Sequence, residues 1–157
     1  MKKPKVLFLC IENRARSQMA EAFLRKHADD QFEVYSAGLE PSPIHPYVYR
    51  VMEEVGLDLK SHYSKGVDEF LNQMYFGILI TVCAKAEEKC PTFPGLGERR
   101  YWPIEDPVAF EGSEEDKLQK FREARDEIEK RILAWLKNRN ETQEQPEPTT
   151  PTGGGDE

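Results

Sequence analysis

The sequence predicts an α/β fold: a single domain built on a doubly wound, four-stranded parallel sheet with helices on both faces. Three observations carry this. Residues 6–9 and 76–82 are continuous apolar runs of the kind found in strands buried on both faces. Between such runs lie segments whose apolar residues recur at helical spacing, so strand and helix alternate along the chain. The length, 157 residues, suits one domain around one core.

Taken in order, residues 6–9 form the first strand, which ends at Cys10, and an amphipathic helix opens at Ser17. Residues 32–36 alternate as a second strand that stops at Gly38. A loop holding Pro41 and Pro43 leads to a helix starting near Pro46, where the missing N–H costs little. That helix carries Val48, Val51, Met52 and Val55 on one face and ends at Gly56. Residues 66–73 read as a short helical segment, 76–82 as the central strand ending at Cys83, and 99–103 as an edge strand that tolerates Pro103 only at its end. The last helix begins near Ser113, with Asp116 three residues on as an approximate capping box, and repeats Leu118, Phe121, Ile128, Ile132 and Trp135. The domain is expected to cover 1–139. From Asn140 the chain turns to Thr, Gln, Pro, Glu and Gly without periodicity, so 140–157 is expected to be a disordered acidic tail.

Net charge is −7, of which −5 lies in residues 140–157, leaving −2 for the body. That balance argues against nucleic acid or an anionic membrane as partner, yet leaves room for a local anion site. The apolar run after Lys2 and Lys3 is too short for an export signal and meets Glu12, Asn13 and Arg14, and no window approaches a membrane span. Three cysteines, an odd count, then read as reduced thiols of a cytoplasmic protein, expected to be a monomer.

The chemistry concentrates where the first strand meets the first helix. Cys10 ends the strand, Arg16 follows after five residues, and Ser17 opens the helix with a hydroxyl that can donate to the Cys10 sulfur. Backbone N–H groups of Ile11, Glu12, Asn13, Arg14, Ala15 and Arg16 are placed to cradle a tetrahedral oxyanion at a helix N-terminus, with the Arg16 guanidinium closing over it. The same field is expected to lower the pKa of Cys10 and make it a nucleophile. Cys-x5-Arg alone is a weak signal; the strand before it and the helix after it sharpen it. Cys83 also follows a strand, so both thiols are expected at the same sheet edge. The charged stretch 84–89 speaks against a core position for Cys90. Cys83 and Cys90, with six residues between them and no matching His or Cys pair, are poorly spaced for zinc, so no metal is expected. His27, His45 and His62 lack ligand spacing and read as surface or loop residues.

Cys10 with Arg16-Ser17-Gln18-Met19-Ala20-Glu21 resembles the phosphate loop shared by low-molecular-weight protein tyrosine phosphatases and thioredoxin-coupled arsenate reductases. The likeness continues through Tyr35-Ser36-Ala37-Gly38, Thr81-Val82-Cys83, Cys90-Pro91 and Trp102 with Asp106-Pro107, and so covers everything up to the tail. It implies that Cys10 attacks arsenate, that Cys83 resolves the adduct, that Cys90 then takes the disulfide from Cys83, and that thioredoxin restores the thiols. It also implies Asp106 as general acid, its carboxyl aimed by the extended backbone that Pro107 imposes. Some relatives bind potassium through residues matching Asn13, Glu21 and Ser36, with an acidic residue where this chain has Lys65; an ammonium group there implies no cofactor and no potassium dependence.

Two other functions stay open at this stage. A phosphotyrosine phosphatase needs only Cys10, Arg16 and a general acid, although the tyrosine usual after Asp106-Pro107 is replaced by Val108-Ala109-Phe110. A non-catalytic redox or oxyanion sensor would use the same loop. Glu12, where many relatives have a smaller residue, and Arg14 add a carboxylate and a guanidinium whose effect the sequence leaves open.

Overall fold

The computed structural model describes residues 2–144. In chain order the elements are β1 (Lys5–Cys10), α1 (Arg16–Ala28), β2 (Glu33–Gly38), α2 (Pro46–Glu53), α3 (Asp68–Leu71), β3 (Ile78–Thr81), α4 (Ala84–Glu88), β4 (Glu98–Tyr101) and α5 (Glu114–Glu144), with a 3₁₀ turn at Pro107–Ala109 before α5. The four strands form one parallel sheet in the order β2-β1-β3-β4.

Side chains of consecutive strand residues point to opposite faces, and Val6, Leu7, Phe8 and Leu9 are all fully buried, so both faces of β1 are covered. Register shows what covers each. Val6, Ile78 and Glu98 are aligned across the sheet, and Glu98 accepts a hydrogen bond from Trp135 Nε1 of α5 at 3.0 Å. Leu7, Tyr35, Leu79 and Arg99 face the other way, where the Tyr35 ring meets Phe70 of α3 and Arg99 meets Glu87 of α4. The doubly wound arrangement expected from the sequence is the one observed.

The element boundaries differ from the sequence reading in ways that have physical causes. β2 begins at Glu33 and runs on through Gly38, because parallel pairing with β1 extends to Cys10 opposite Gly38. β4 spans Glu98–Tyr101 rather than 99–103, since Trp102 donates its N–H to Thr81 and the strand ends before Pro103. Ser113 does cap α5, its hydroxyl oxygen accepting from the Asp116 N–H at 3.1 Å. The helix continues to Glu144, however, so residues 140–144, read as the start of the tail, are helical. Glu141, Gln143 and Glu144 are good helix formers, and the first breaker is Pro146. Residues 145–157, the rest of the expected tail, lie outside the described residues.

Gly38 locks the sheet to the loop that follows β1. A Cβ built on it would lie 2.6 Å from the Ile11 carbonyl oxygen and 2.8 Å from the Asn13 nitrogen, both backbone atoms. Gly38→Ala should therefore displace the loop, lower stability by about 1–3 kcal/mol and weaken oxyanion binding. Urea unfolding and titration with inorganic phosphate check both effects, and unchanged values for the two would refute the close approach.

Candidate active site

The loop between β1 and α1 is shaped by what its carbonyls do. Leu39 donates its N–H to the carbonyl of Cys10, Glu40 to Ile11, Ser42 to Glu12 and His45 to Arg14, at 2.7–3.2 Å. In a trans peptide the C=O and the next N–H point in opposite directions. The N–H groups of Ile11, Glu12, Asn13 and Ala15 are thereby turned inward. The one on Asn13 donates to Cys10 Sγ at 3.1 Å. The proline-rich segment after β2 thus acts as the outer wall that turns these donors toward Cys10. At α1 no side chain caps the helix start, which leaves its first N–H groups available to an anion.

Behind the loop sits Asn13, fully buried with φ +53°. Its Oδ1 accepts from Lys65 N–H (2.9 Å) and Gln18 Nε2 (2.8 Å), while its Nδ2 donates to Ser17 Oγ (2.8 Å) and Ser36 Oγ (3.0 Å). Ser17 Oγ, which accepts from Asn13, lies 2.9 Å from Cys10 Sγ; either atom can donate while Cys10 is a thiol, and only Ser17 can once it is a thiolate. Ser36 in turn donates to the buried carboxylate of Glu21, which pairs with Arg25 at 2.8 Å and has Lys65 Nζ 3.6 Å away. The Lys65 ammonium therefore stands beside Glu21 and Ser36, with a further bond to the Tyr63 carbonyl, and burial pushes its pKa down. Among the described residues, no group of three or more His, Cys, Asp or Glu is arranged to hold a metal.

A cavity of about 290 Å³ opens over this loop. Cys10, Ile11, Glu12, Arg14, Ala15 and Arg16 border it from the β1–α1 side, Cys83, Ala84 and Lys85 from the end of β3 and the start of α4, and Asp106 with Val108 from the loop before α5. Of the expected site residues, Asn13 and Ser17 act from beneath, and Cys90 lies away from the cavity. Arg16 is held by the Ile104 carbonyl at 2.9 Å and has Asp106 Oδ2 3.6 Å from its guanidinium. The other Asp106 oxygen accepts from the Val108 N–H at 3.0 Å, so the carboxylate caps the 3₁₀ turn and is fixed in direction. Arg14 and Glu12 form a loose pair at 3.8 Å on the rim.

One expectation is corrected. Burial pushes the Cys10 thiol up, and neighbouring Cys83 adds to this, against the lowering influence of Ser17, Arg16 and the Asn13 N–H. The sequence reading counted the donors and the guanidinium but not the loss of solvent around a residue that is 4% exposed. The histidines are also more engaged than expected, though none borders the cavity. His62 Nδ1 lies 3.1 Å from Gln18 Oε1, and because Gln18 Nε2 serves as a donor, the ring nitrogen must donate here. His45 caps α2 by accepting from the Tyr47 N–H, and His27 contacts Glu129 at 2.7 Å. No local pattern announces these pairings, whose partners lie up to 102 positions apart.

Comparison with known proteins agrees with this geometry. The model of the low-molecular-weight phosphotyrosine protein phosphatase family matches residues 5–145. The chain belongs to that family. Within it, the chain is 40% identical over 135 residues to an arsenate reductase of Halalkalibacterium halodurans, covering 86% of this chain and 96% of the relative. A solved arsenate reductase in its phosphate-binding state superimposes with a TM-score of 0.73 at 30% identity, covering 86% of this chain and 98% of that one. A thioredoxin-dependent arsenate reductase of Corynebacterium glutamicum superimposes with a TM-score of 0.67 at 28% identity, covering 89% of this chain and 63% of the other.

In this member of the family the Ser17 hydroxyl is the largest influence holding the Cys10 thiol down. A hydrogen bond to a charged group is worth about 1.5–3 kcal/mol, so Ser17→Ala should move the alkylation midpoint of Cys10 upward by about 1–2 pH units. Iodoacetamide labelling against pH, resolved by peptide, measures it; an unmoved or lower midpoint would contradict donation by Ser17 to the thiolate.

Proposed function

We propose that this member of the family reduces arsenate to arsenite by passing electrons through Cys10, Cys83 and Cys90, with thioredoxin restoring the thiols. The observation that carries the reading is that Cys10, at the end of β1, and Cys83, just past β3, border one cavity together with Arg16 and Asp106. A dianionic arsenate docked on the inward N–H groups is itself a base that takes the proton of the buried Cys10 thiol. The thiolate attacks arsenic, and Asp106 gives a proton to the departing hydroxide, which leaves as water. Cys83 then attacks Cys10 Sγ; the S–As bond breaks with its electron pair going to arsenic, arsenite departs and a Cys10–Cys83 disulfide remains. Attack of Cys90 on Cys83 releases Cys10 and moves the disulfide away from the cavity. All electrons come from thiols, so the scheme calls for no cofactor.

All three cysteines are free in the structure, as this cycle's reduced form requires. The name of the Corynebacterium relative supports thioredoxin as the reductant. Reduced thiols fit a cytoplasmic protein, and among the described residues no helix is long and apolar enough to cross a membrane.

The cavity wall favours an inorganic oxyanion over a phosphotyrosine side chain. Its bordering side chains include Glu12, Arg14 and Lys85, and no aromatic ring. The ring of an aryl phosphate would face charges there, whereas a small inorganic oxyanion needs only the loop. A redox sensor could pair the two thiols, but one that never turns over would have no use for a fixed carboxylate at the cavity.

Cys83→Ser should eliminate arsenate turnover while leaving slow hydrolysis of para-nitrophenyl phosphate, because hydrolysis needs no resolving thiol. Sustained arsenate reduction by this variant, with thioredoxin as sole electron donor, would sink the relay.

A further inference from the structure

Helix α4 separates Cys83 from Cys90, and a single carboxylate ties it down. Glu87 Oε1 accepts from Thr81 Oγ1 of β3 at 2.7 Å and from Arg99 of β4 at 3.1 Å. Thr81 and Arg99 lie on the same face of the sheet, on neighbouring strands, so Glu87 bridges two strands from above. The same guanidinium nitrogen reaches the Glu87 carbonyl oxygen at 3.4 Å. Within the helix, Glu87 N–H bonds to the Cys83 carbonyl and Lys89 N–H to that of Lys85. Only Ala86 of this helix is buried, so little apolar contact holds it wound.

Were 83–90 helical throughout, a rise of about 1.5 Å per residue would put Cys83 and Cys90 roughly 10.5 Å apart, against the roughly 4.4–6.8 Å between α-carbons that a disulfide tolerates. The wound segment Ala84–Glu88 stands between the two cysteines, so bringing them together works against α4 and draws Glu87 from its partners. We propose that Thr81, Glu87 and Arg99 form a latch that keeps α4 wound until Cys83 is oxidised, and that Arg99, released from Glu87, becomes the counter-ion of the Cys90 thiolate. Arg99 and Glu87 are positioning residues acting through Cys90.

The charges around Cys90 fit this exchange of partners. Burial pushes the Cys90 thiol up, Arg99 pulls it down, and Glu87 pushes it up again. Glu87 adds to the effect of burial in raising the thiol, so its withdrawal removes that influence and leaves the lowering one of Arg99. Thiolate Cys90 then attacks Cys83 Sγ, the Cys10–Cys83 bond breaks, and Cys10 leaves as a thiolate that takes a proton from water. One disulfide replaces another, so no external oxidant is needed.

The proposal rests on the relay described above only in requiring Cys83 and Cys90 to meet, and its test does not use arsenate turnover. In the full-length reduced protein, peptide-resolved iodoacetamide labelling of Cys90 against pH is compared among the parent, Glu87→Gln and Arg99→Met. Glu87→Gln should lower the Cys90 midpoint and Arg99→Met should raise it, each by about half a pH unit, a factor of about 3 in thiolate at fixed pH. Both variants should speed hydrogen exchange at the Glu87 and Lys89 amides. Unmoved midpoints, or shifts of the same sign in both, would overturn the latch, as would exchange equal to the parent's. Full arsenate turnover in Cys90→Ser would instead remove Cys90 from the relay, whatever the labelling shows.

Discussion

The site depends on one side chain with no remaining hydrogen-bonding capacity. Asn13 uses both donor hydrogens and both acceptor positions of its amide, on Ser17, Ser36, Gln18 and the Lys65 backbone. It also adopts a left-handed backbone, which asparagine tolerates better than most residues and which lets the loop reverse within a few positions. From this hub the order of the site follows. Ser17 is oriented toward the sulfur, Ser36 hands its proton to Glu21, and the 65–67 segment is tied to Gly38 by two backbone bonds. An aspartate at 13 would lose two donors and leave Ser17 free to rotate. Buried networks of this kind are specific because every member is satisfied.

Around the hub, a parallel sheet solves the problem of bringing distant thiols together. The carboxyl ends of parallel strands lie on one edge, so Cys10 at the end of β1 and Cys83 just past β3 share a cavity though 73 positions separate them. The third thiol sits beyond a five-residue helix, outside the cavity and partly exposed. In the proposed relay the disulfide moves from the buried sulfur to a place another protein can reach, while electrons from the reductant travel the opposite way to arsenic. A site that must both exclude water and meet a reductant gains from this separation.

Much of this was legible in residues 5–24, because strand, loop and helix N-terminus are local structure and each has a local signal. The parallel sheet and the shared edge of Cys10 and Cys83 followed from alternation of strands and helices alone, whereas the strand order did not. Asp106 was legible only by likeness to a family, since an Asp-Pro pair is common in ordinary turns. What escaped was whatever depends on pairings across the fold. The 39–45 segment reads as a proline-rich loop, and nothing in its composition says that its N–H groups turn the carbonyls of the anion loop outward. Glu87 and Arg99 look like solvated charges until β3 and β4 are set side by side. The raised Cys10 thiol was missed because donors and a guanidinium can be read from neighbouring residues, whereas the loss of solvent around the thiol appears only in the folded chain.

In the proposed relay this chain supplies both electrons from its own thiols and ends with the bond between Cys83 and Cys90. A single turnover tests it most directly: reduced protein, excess arsenate, no reductant, followed by acid quench, arsenite assay and disulfide mapping of non-reduced peptides. The expected result is one arsenite per protein chain, a Cys83–Cys90 disulfide and a free Cys10. Arsenite formed in that amount with Cys83 and Cys90 both still free thiols would contradict the relay.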